Sequence, residues 1–198
     1  MKAENTAGHA ELHCLSPFSF QRAASHADEL FERARDLGYS ALAITDECSL
    51  AGIVRAHEAA KKHGVKLIVG CEAQVEDGPK LVLLVPDKAA YESMSGLITH
   101  ARRRSEKGAY RLLREDFQRF AQTALAIWIP DAQTSIEHAA WMRETFPAGC
   151  WIGVELHRGA DDAQRLRRLR EIGTRFSLPC VACNDVRYHV RARRALHD

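Results

Sequence analysis

What the chain lacks narrows it first. No apolar run in its 198 residues approaches the ~20 that a membrane-spanning helix needs. The segment Met1 to Gly8 is polar and has no apolar stretch of the signal-peptide kind. A cytoplasmic chain with no membrane partner is expected. Neither sign of charge dominates: 28 Lys and Arg against 26 Asp and Glu leave a net +2. Bulk charge therefore argues neither for nor against nucleic acid. No internal repeat or low-complexity segment is evident. Of the six cysteines, Cys180 and Cys183 form a C-x-x-C, and no second pair stands at zinc-finger spacing. In a reducing compartment free thiols are expected. Residues three apart on a strand point to opposite faces, so this pair reads as structural.

What is present is ordinary in bulk and regular in detail. An apolar share of 46% and a charged share of 27% fit a soluble globular domain with a real core. Short β-rich runs alternate with helical patterns. The strands expected are 10–15, 41–45, 66–69, 81–85, 124–129, 151–156 and 179–183. Between them, Ser25 offers a cap for a helix stopped by Gly38, and Ser49 for one stopped by Gly64. Asp87 can cap a long helix through Arg104. Further helices are expected over 136–146 and 161–176. Seven strands in mostly β-α order predict a parallel sheet with crossover helices. Continuous apolar strands such as Leu81 to Val85 fit a sheet buried on both faces. A closed or distorted barrel is the first expectation and an open doubly wound sheet the alternative. The basic, polar stretch Arg102 to Ala109 is expected to be the least ordered.

In parallel α/β folds, polar residues at the C-terminal strand ends are the default site candidates. Each strand here ends in such groups. The first carries Glu11 and His13, which period-two alternation puts on one face. The second ends in Asp46 and Glu47, and the third runs into Glu72. The sixth ends in Glu155 and His157, and the last in Asp185, followed by Arg187 and His189. Singly, each has a bland reading as a cap, a surface acid or a satisfied core histidine. Together, oxygen and nitrogen donors converging on one mouth are what a divalent-metal phosphoesterase site is made of.

The basic segments divide. Arg165, Arg167, Arg168 and Arg170 flank the apolar Leu166, Leu169 and Ile172 and read as a solvated helix face. Arg191, Arg193 and Arg194, near Arg187, leave phosphate contact or docking to an acidic domain open. No aromatic platform accompanies them, which argues against a single-strand-binding surface there.

Several blocks carry a resemblance. Ala10 to Ser16 followed by Phe18-Ser19-Phe20, then Ala43 to Asp46 before Ser49 to Gly52, then Ile68 to Glu72, and finally Cys183 to Val186 resemble, in order, the polymerase-and-histidinol-phosphatase (PHP) domain of bacterial C-family DNA polymerases. Ala23 to His26 and Thr45 to Gly52 resemble the error-prone branch. The resemblance covers the whole chain. It implies one PHP domain over 1–198, a distorted seven-stranded β/α barrel at the N-terminus of a longer polymerase.

Metal-active members bind up to three metals and hydrolyse phosphoesters, some as a 3′–5′ exonuclease. Their motifs are His-x-His, Thr-Asp-His and Asp-x-His. Here Glu11, Glu47 and Arg187 stand in for three of those histidines, and Arg22 falls where polymerase relatives carry an acid. His13, Asp46, Glu72 and Asp185 remain competent. The resemblance thus implies a dismantled metal site with no cofactor expected, or Mn, Zn or Mg if Glu11 and Glu47 substitute as ligands. Arg22 and Arg187 are expected to replace the charge of lost metals. The partners implied are the polymerase body, DNA through the full-length protein, and accessory mutagenesis proteins.

Overall fold

Seven strands form one sheet in the order of the sequence, β1-β2-β3-β4-β5-β6-β7. The computed structural model describes residues 8–120, 123–131, 136–147 and 149–198; of the polar N-terminus, only Gly8 lies within them. The strands are β1 (Ala10–Glu11), β2 (Ala41–Ile44), β3 (Lys66–Gln74), β4 (Lys80–Leu84), β5 (Leu125–Ile129), β6 (Cys150–Val154) and β7 (Cys180–Ala182). The main helices are α1 (Ala27–Asp36), α2 (Ile53–His63), α3 (Lys88–Arg103), α4 (Arg114–Phe120), α5 (Ile136–Thr145) and α6 (Asp162–Phe176); a 3-10 turn (Arg191–Arg193) and α7 (Arg194–His197) follow.

The sheet is a nearly closed barrel, as expected, but one strand runs backwards. β4 is antiparallel to both β3 and β5. The reason is length. β3 continues to Gln74 rather than stopping at Val69, which leaves only the Val75–Pro79 turn before β4. A parallel crossover needs about a dozen residues or more, so five force a hairpin. This reversal brings the first residue of β4, Lys80, to the end where the other strands finish.

Alternation along β4 sorts its side chains. Val82 and Leu84 join Ala43, Ile127, Ile129 and Cys183 in one apolar cluster. Leu81 and Leu83 pack in the other direction, with Trp128, Phe117, Phe146, Met94 and Leu97. A separate cluster joins α1 to α2 through Leu30, Phe31, Ala34, Ala56, Ala59 and Ala60. Burying a Phe or Leu of this kind contributes about 1.5–3 kcal/mol.

β1 and β7 share no ladder among the described residues. The seam is closed above them by the Cys14–Val186 bridge, with the Leu15 and Val186 N–H groups donating across it at 2.9 Å each.

Two expected caps are corrected. α1 starts from His26, whose N–H donates to Glu29 at 2.9 Å. The buried Ser25 instead bonds through Oγ with the His189 ring and accepts its N–H. α2 starts after Gly52, and Ser49 only accepts the nearby Ala51 N–H. Asp87 does cap α3, accepting from Ala90 N at 2.9 Å. The stretch Arg102 to Ala109 is tied down rather than loose. Arg102, in the last turn of α3, donates to the carbonyls of Glu47, Cys48, Gly108 and Ala109.

Candidate functional site

The mouth is organised around a buried histidine. His13 Nδ1 lies 2.7 Å from Glu155, just after β6, and Nε2 lies 2.8 Å from Glu72 on β3. Asp185 stands 3.8 Å from the same Nε2. Burial alone would drive the imidazole neutral. The hydrogen bonds to Glu155 and Glu72 outweigh it and push its pKa up to about 9. With a carboxylate at each nitrogen, both nitrogens donate and the ring is a cation near neutral pH.

Glu72 is the hub. Besides His13 it receives Arg22 Nη1 on Oε1 and Lys80 Nζ at 3.0 Å. Although burial opposes ionisation, His13 and Arg22, aided by Lys80, hold its carboxyl well below the ordinary range. Arg22 also reaches Glu47 at 2.6 Å, whose other oxygen accepts the Tyr110 hydroxyl at 2.9 Å.

Arg22 is delivered by a loop that Asp46 shapes. Asp46 accepts the Ser16 N–H at 2.8 Å and the Ser16 and Ser19 hydroxyls at 2.7 Å each. Its burial raises its pKa in spite of those donors. The next residue but one after Ser19, Gln21, takes a left-handed φ of 60° and turns the chain back.

Glu11 turns towards the seam. Its Oε1 accepts the N–H groups of Leu12, His13 and Asn184, and its Oε2 accepts the Asn184 side-chain amide. Asp185 sits at a left-handed φ of 47°. Arg187 grips its Oδ2 at 3.1 and 2.7 Å, while its Oδ1 is buried without a partner. Burial opposes the charge of Asp185, but Arg187 and His13 lower its pKa.

The candidates named from sequence therefore separate. His13, Glu72 and Asp185 bring donor atoms within 4.8 Å of one another. Asp46 serves the loop, Glu47 serves Arg22 and Tyr110, and Glu11 serves the seam. This donor set could hold one divalent ion if His13 Nε2 gave up its proton, with the orphaned Asp185 oxygen facing the ion, and does not fit a three-ion centre. Lys80, Tyr110, Ser16 and Ser19 were missed. The first had a signal in the short Gly78-Pro79 turn, which makes β4 reverse; the others had none.

Outside the mouth, two of the three C-terminal arginines are already engaged. Arg193 pairs with Glu29, and Arg194 with Asp198 at 3.1 Å, while Arg191 is exposed. All six thiols are free; Cys180 is exposed and Cys183 buried, on opposite sides of the sheet.

Acids and a buried histidine thus gather where the parallel strands of the barrel end. The whole fold recurs in a protein from Bifidobacterium adolescentis assigned as a metal-dependent phosphoesterase, with TM-score 0.68, 17% identity, and coverage of 95% of this chain and 90% of that one. It recurs again in an amidohydrolase from Chromobacterium violaceum, with TM-score 0.63, 15% identity, and coverage of 91% and 88%. The PHP domain family matches residues 11–158, and the chain belongs to that family.

Among curated relatives, an error-prone DNA polymerase of Pseudomonas aeruginosa is 60% identical over 190 residues, 96% of this chain and 18% of the relative. Another from Pseudomonas savastanoi pv. phaseolicola is 57% identical over 197 residues, and one from Methylococcus capsulatus 53% identical over 190. The chain thus spans about a fifth of the length of the relatives it matches, 18% of the first.

Proposed function

We propose that the chain is the PHP module of an error-prone DNA polymerase, serving translesion synthesis and DNA repair in the cytoplasm. Residues 1–198 form its N-terminal domain, which supports the polymerase body and, through it, DNA and accessory mutagenesis proteins. The domain itself is structural. Its mouth is held by side-chain cations where metal-active members hold metals.

The observation that carries this reading is the occupancy of Glu72. A carboxylate already shared by His13, Arg22 and Lys80 has little left to offer an ion. The relatives' name and their high identity across this chain support the polymerase assignment.

One observation favours a second reading, a metal-dependent phosphoesterase or exonuclease. Asp185 Oδ1 is buried and unsatisfied beside His13. In that case His13, Glu72 and Asp185 would hold one Mn, Zn or Mg ion, which supplies a Lewis acid and an activated water.

Metal analysis of the purified chain separates the two, with degradation of labelled single-stranded DNA in added Mn²⁺ or Zn²⁺. The structural reading expects substoichiometric metal and no cleavage. Bound metal with cleavage that vanishes in His13→Ala would establish the second.

A further inference from the structure

The charge of this chain is small but unevenly placed. Residues 100–119 hold seven Lys and Arg against three Asp and Glu, a net +4, so the rest of the chain is net −2. This segment runs from the end of α3 through α4. It borders two clefts. One, of about 630 Å³, lies beside the mouth between Phe18, Phe20, Arg102 and Tyr110, with Glu47 on its floor. The other, of about 410 Å³, lies between α3 and α4 and is lined by Ser95, His100, Arg103, Arg119 and Phe120. The neighbours Arg102 and Arg103 put one cleft on each side of the last turn of α3.

Part of this charge has internal work. Arg102 holds loop carbonyls, Arg104 pairs with Asp116, and Arg111 with Glu76. Basic residues ending α3 also complement its dipole. Arg103 and Lys107 are exposed, and neither has an ion-pair partner among the described residues. Lys107 lies past the helix end, where the dipole gives it no role.

Aromatic rings border the same surface. Arg55 stacks on Phe18, Arg102 on Tyr110 and Arg119 on Phe120, with 5.0–5.7 Å from guanidinium to ring centre. Phe20 is 83% exposed, the most exposed large apolar side chain described, and carries no such cover. Lys107 adjoining the cleft that Phe20 lines, Arg103 in the other cleft, and flat guanidinium planes are the elements of a single-strand platform: phosphates meet the charge and bases stack on the π faces.

We propose that the surface from the Phe18–Phe20 loop across the end of α3 to Phe120 binds single-stranded nucleic acid. Arg103, Lys107 and Arg119 contact phosphates, and Phe20 stacks a base. The acid on the floor, Glu47, is held by Arg22 and Tyr110 and so presents little free charge. Glu106 and Glu115 are the exposed acids a strand must pass. The site is separate from the His13 cluster and needs no metal.

The test is fluorescence anisotropy of a labelled oligothymidylate of about 20 nucleotides with the 198-residue chain, repeated from about 50 to 200 mM salt. Salt-sensitive binding is expected. Arg103→Glu with Lys107→Glu should weaken it at least about tenfold and flatten the salt slope. Phe20→Ala should weaken it about tenfold and leave the slope unchanged. Photocrosslinking of an iodouracil-containing oligonucleotide to the unmutated chain should map to the Phe18–Phe20 loop. Failure of the natural chain to bind, binding by both variants as tight as that of the natural chain, or crosslinks confined to the C-terminal arginines would overturn the proposal. So would tighter binding of polyglutamate than of the oligonucleotide, which would mark an acidic protein surface as the partner.

Discussion

The carboxylate of Glu11 accepts the backbone N–H of Asn184 at 3.1 Å and its side-chain amide at 2.6 Å, across 173 residues of sequence. It lies where β1 and β7 approach without pairing, so these bonds do the work of a missing ladder. Glu11 is fully buried and also accepts the Leu12 and His13 N–H groups. Glu11→Ala takes the acceptor from the buried His13 N–H and from the part-buried Leu12 and Asn184 N–H groups, and is expected to lower stability by about 2 kcal/mol. Denaturant melts should show that loss, and chelator should not reproduce it in the natural chain. Equal losses on chelation would make Glu11 a ligand instead.

Arg22 joins Glu47 to Glu72 and is about a quarter exposed at its side chain, 26%. Removing it takes one of three cations from the buried Glu72, which keeps His13 and Lys80. Arg22→Ala should cost about 2 kcal/mol, less than the ~3–5 of a fully buried pair because water reaches the guanidinium. Arg22→Lys should recover only part, since both contacts come from the terminal Nη1 and a lysine ammonium ends one atom short of it. Thermal melts of the two variants side by side decide this.

His13 predicts a pH profile. Its pKa lies at about 9 in the folded chain against an ordinary 6.5, because Glu155 and Glu72 outweigh burial. The folded state binds this proton more tightly. The stabilisation is therefore complete below about pH 6.5 and is lost as pH rises through about 9, up to about 3 kcal/mol in all. Asp185 and Lys80 also face the cluster. Unfolding free energy measured from pH 6 to 10 should fall in the natural chain and stay flatter in His13→Gln.

Gly70 lies where β3 passes close to β4 and β2. A Cβ there would meet the Leu83 carbonyl at 2.8 Å and the Thr45 methyl at 2.8 Å. The carbonyl belongs to the sheet and cannot swing away. Gly70→Ala should destabilise by about 2 kcal/mol, within the range for overpacking. A neutral effect in denaturant melts would show that β3 can shift.

Thiol reactivity should single out one cysteine. Cys180 is exposed, and Cys14, Cys48, Cys71, Cys150 and Cys183 are buried. Burial raises the Cys48 thiol to about 11 and pushes Cys71 and Cys183 up strongly. Only the thiolate reacts. Titration with a chromogenic disulfide should count one fast thiol in the folded chain and six after denaturation, with Cys180→Ser removing the fast one.

The sequence by itself determined the seven strands, five of the six helices between them (not α4), and the barrel as the first of two expectations. Those rest on apolar periodicity and local stops such as Gly64, which takes the left-handed φ of 70° that ends α2. It also marked His13, Glu72 and Asp185 as members of one site, because strand ends in such a fold meet. Only the tertiary structure decided what each charged group does. Glu11 and His13 share a strand face, yet one closes the seam and the other ionises between Glu72 and Glu155. Asp46 reads as a ligand and acts as the anchor of the loop that presents Arg22. Lys80 reached the mouth only because a five-residue turn reversed β4, and Tyr110 came from a loop with no pattern of its own. Local sequence sets the backbone through short-range preferences. Apart from the pairs of Asp185 with its neighbour Arg187 and of Glu72 with Lys80, the side-chain partner of each such charge at the mouth is set by which groups 25 to 173 residues away are brought within about 3 Å, and no local pattern encodes that distance.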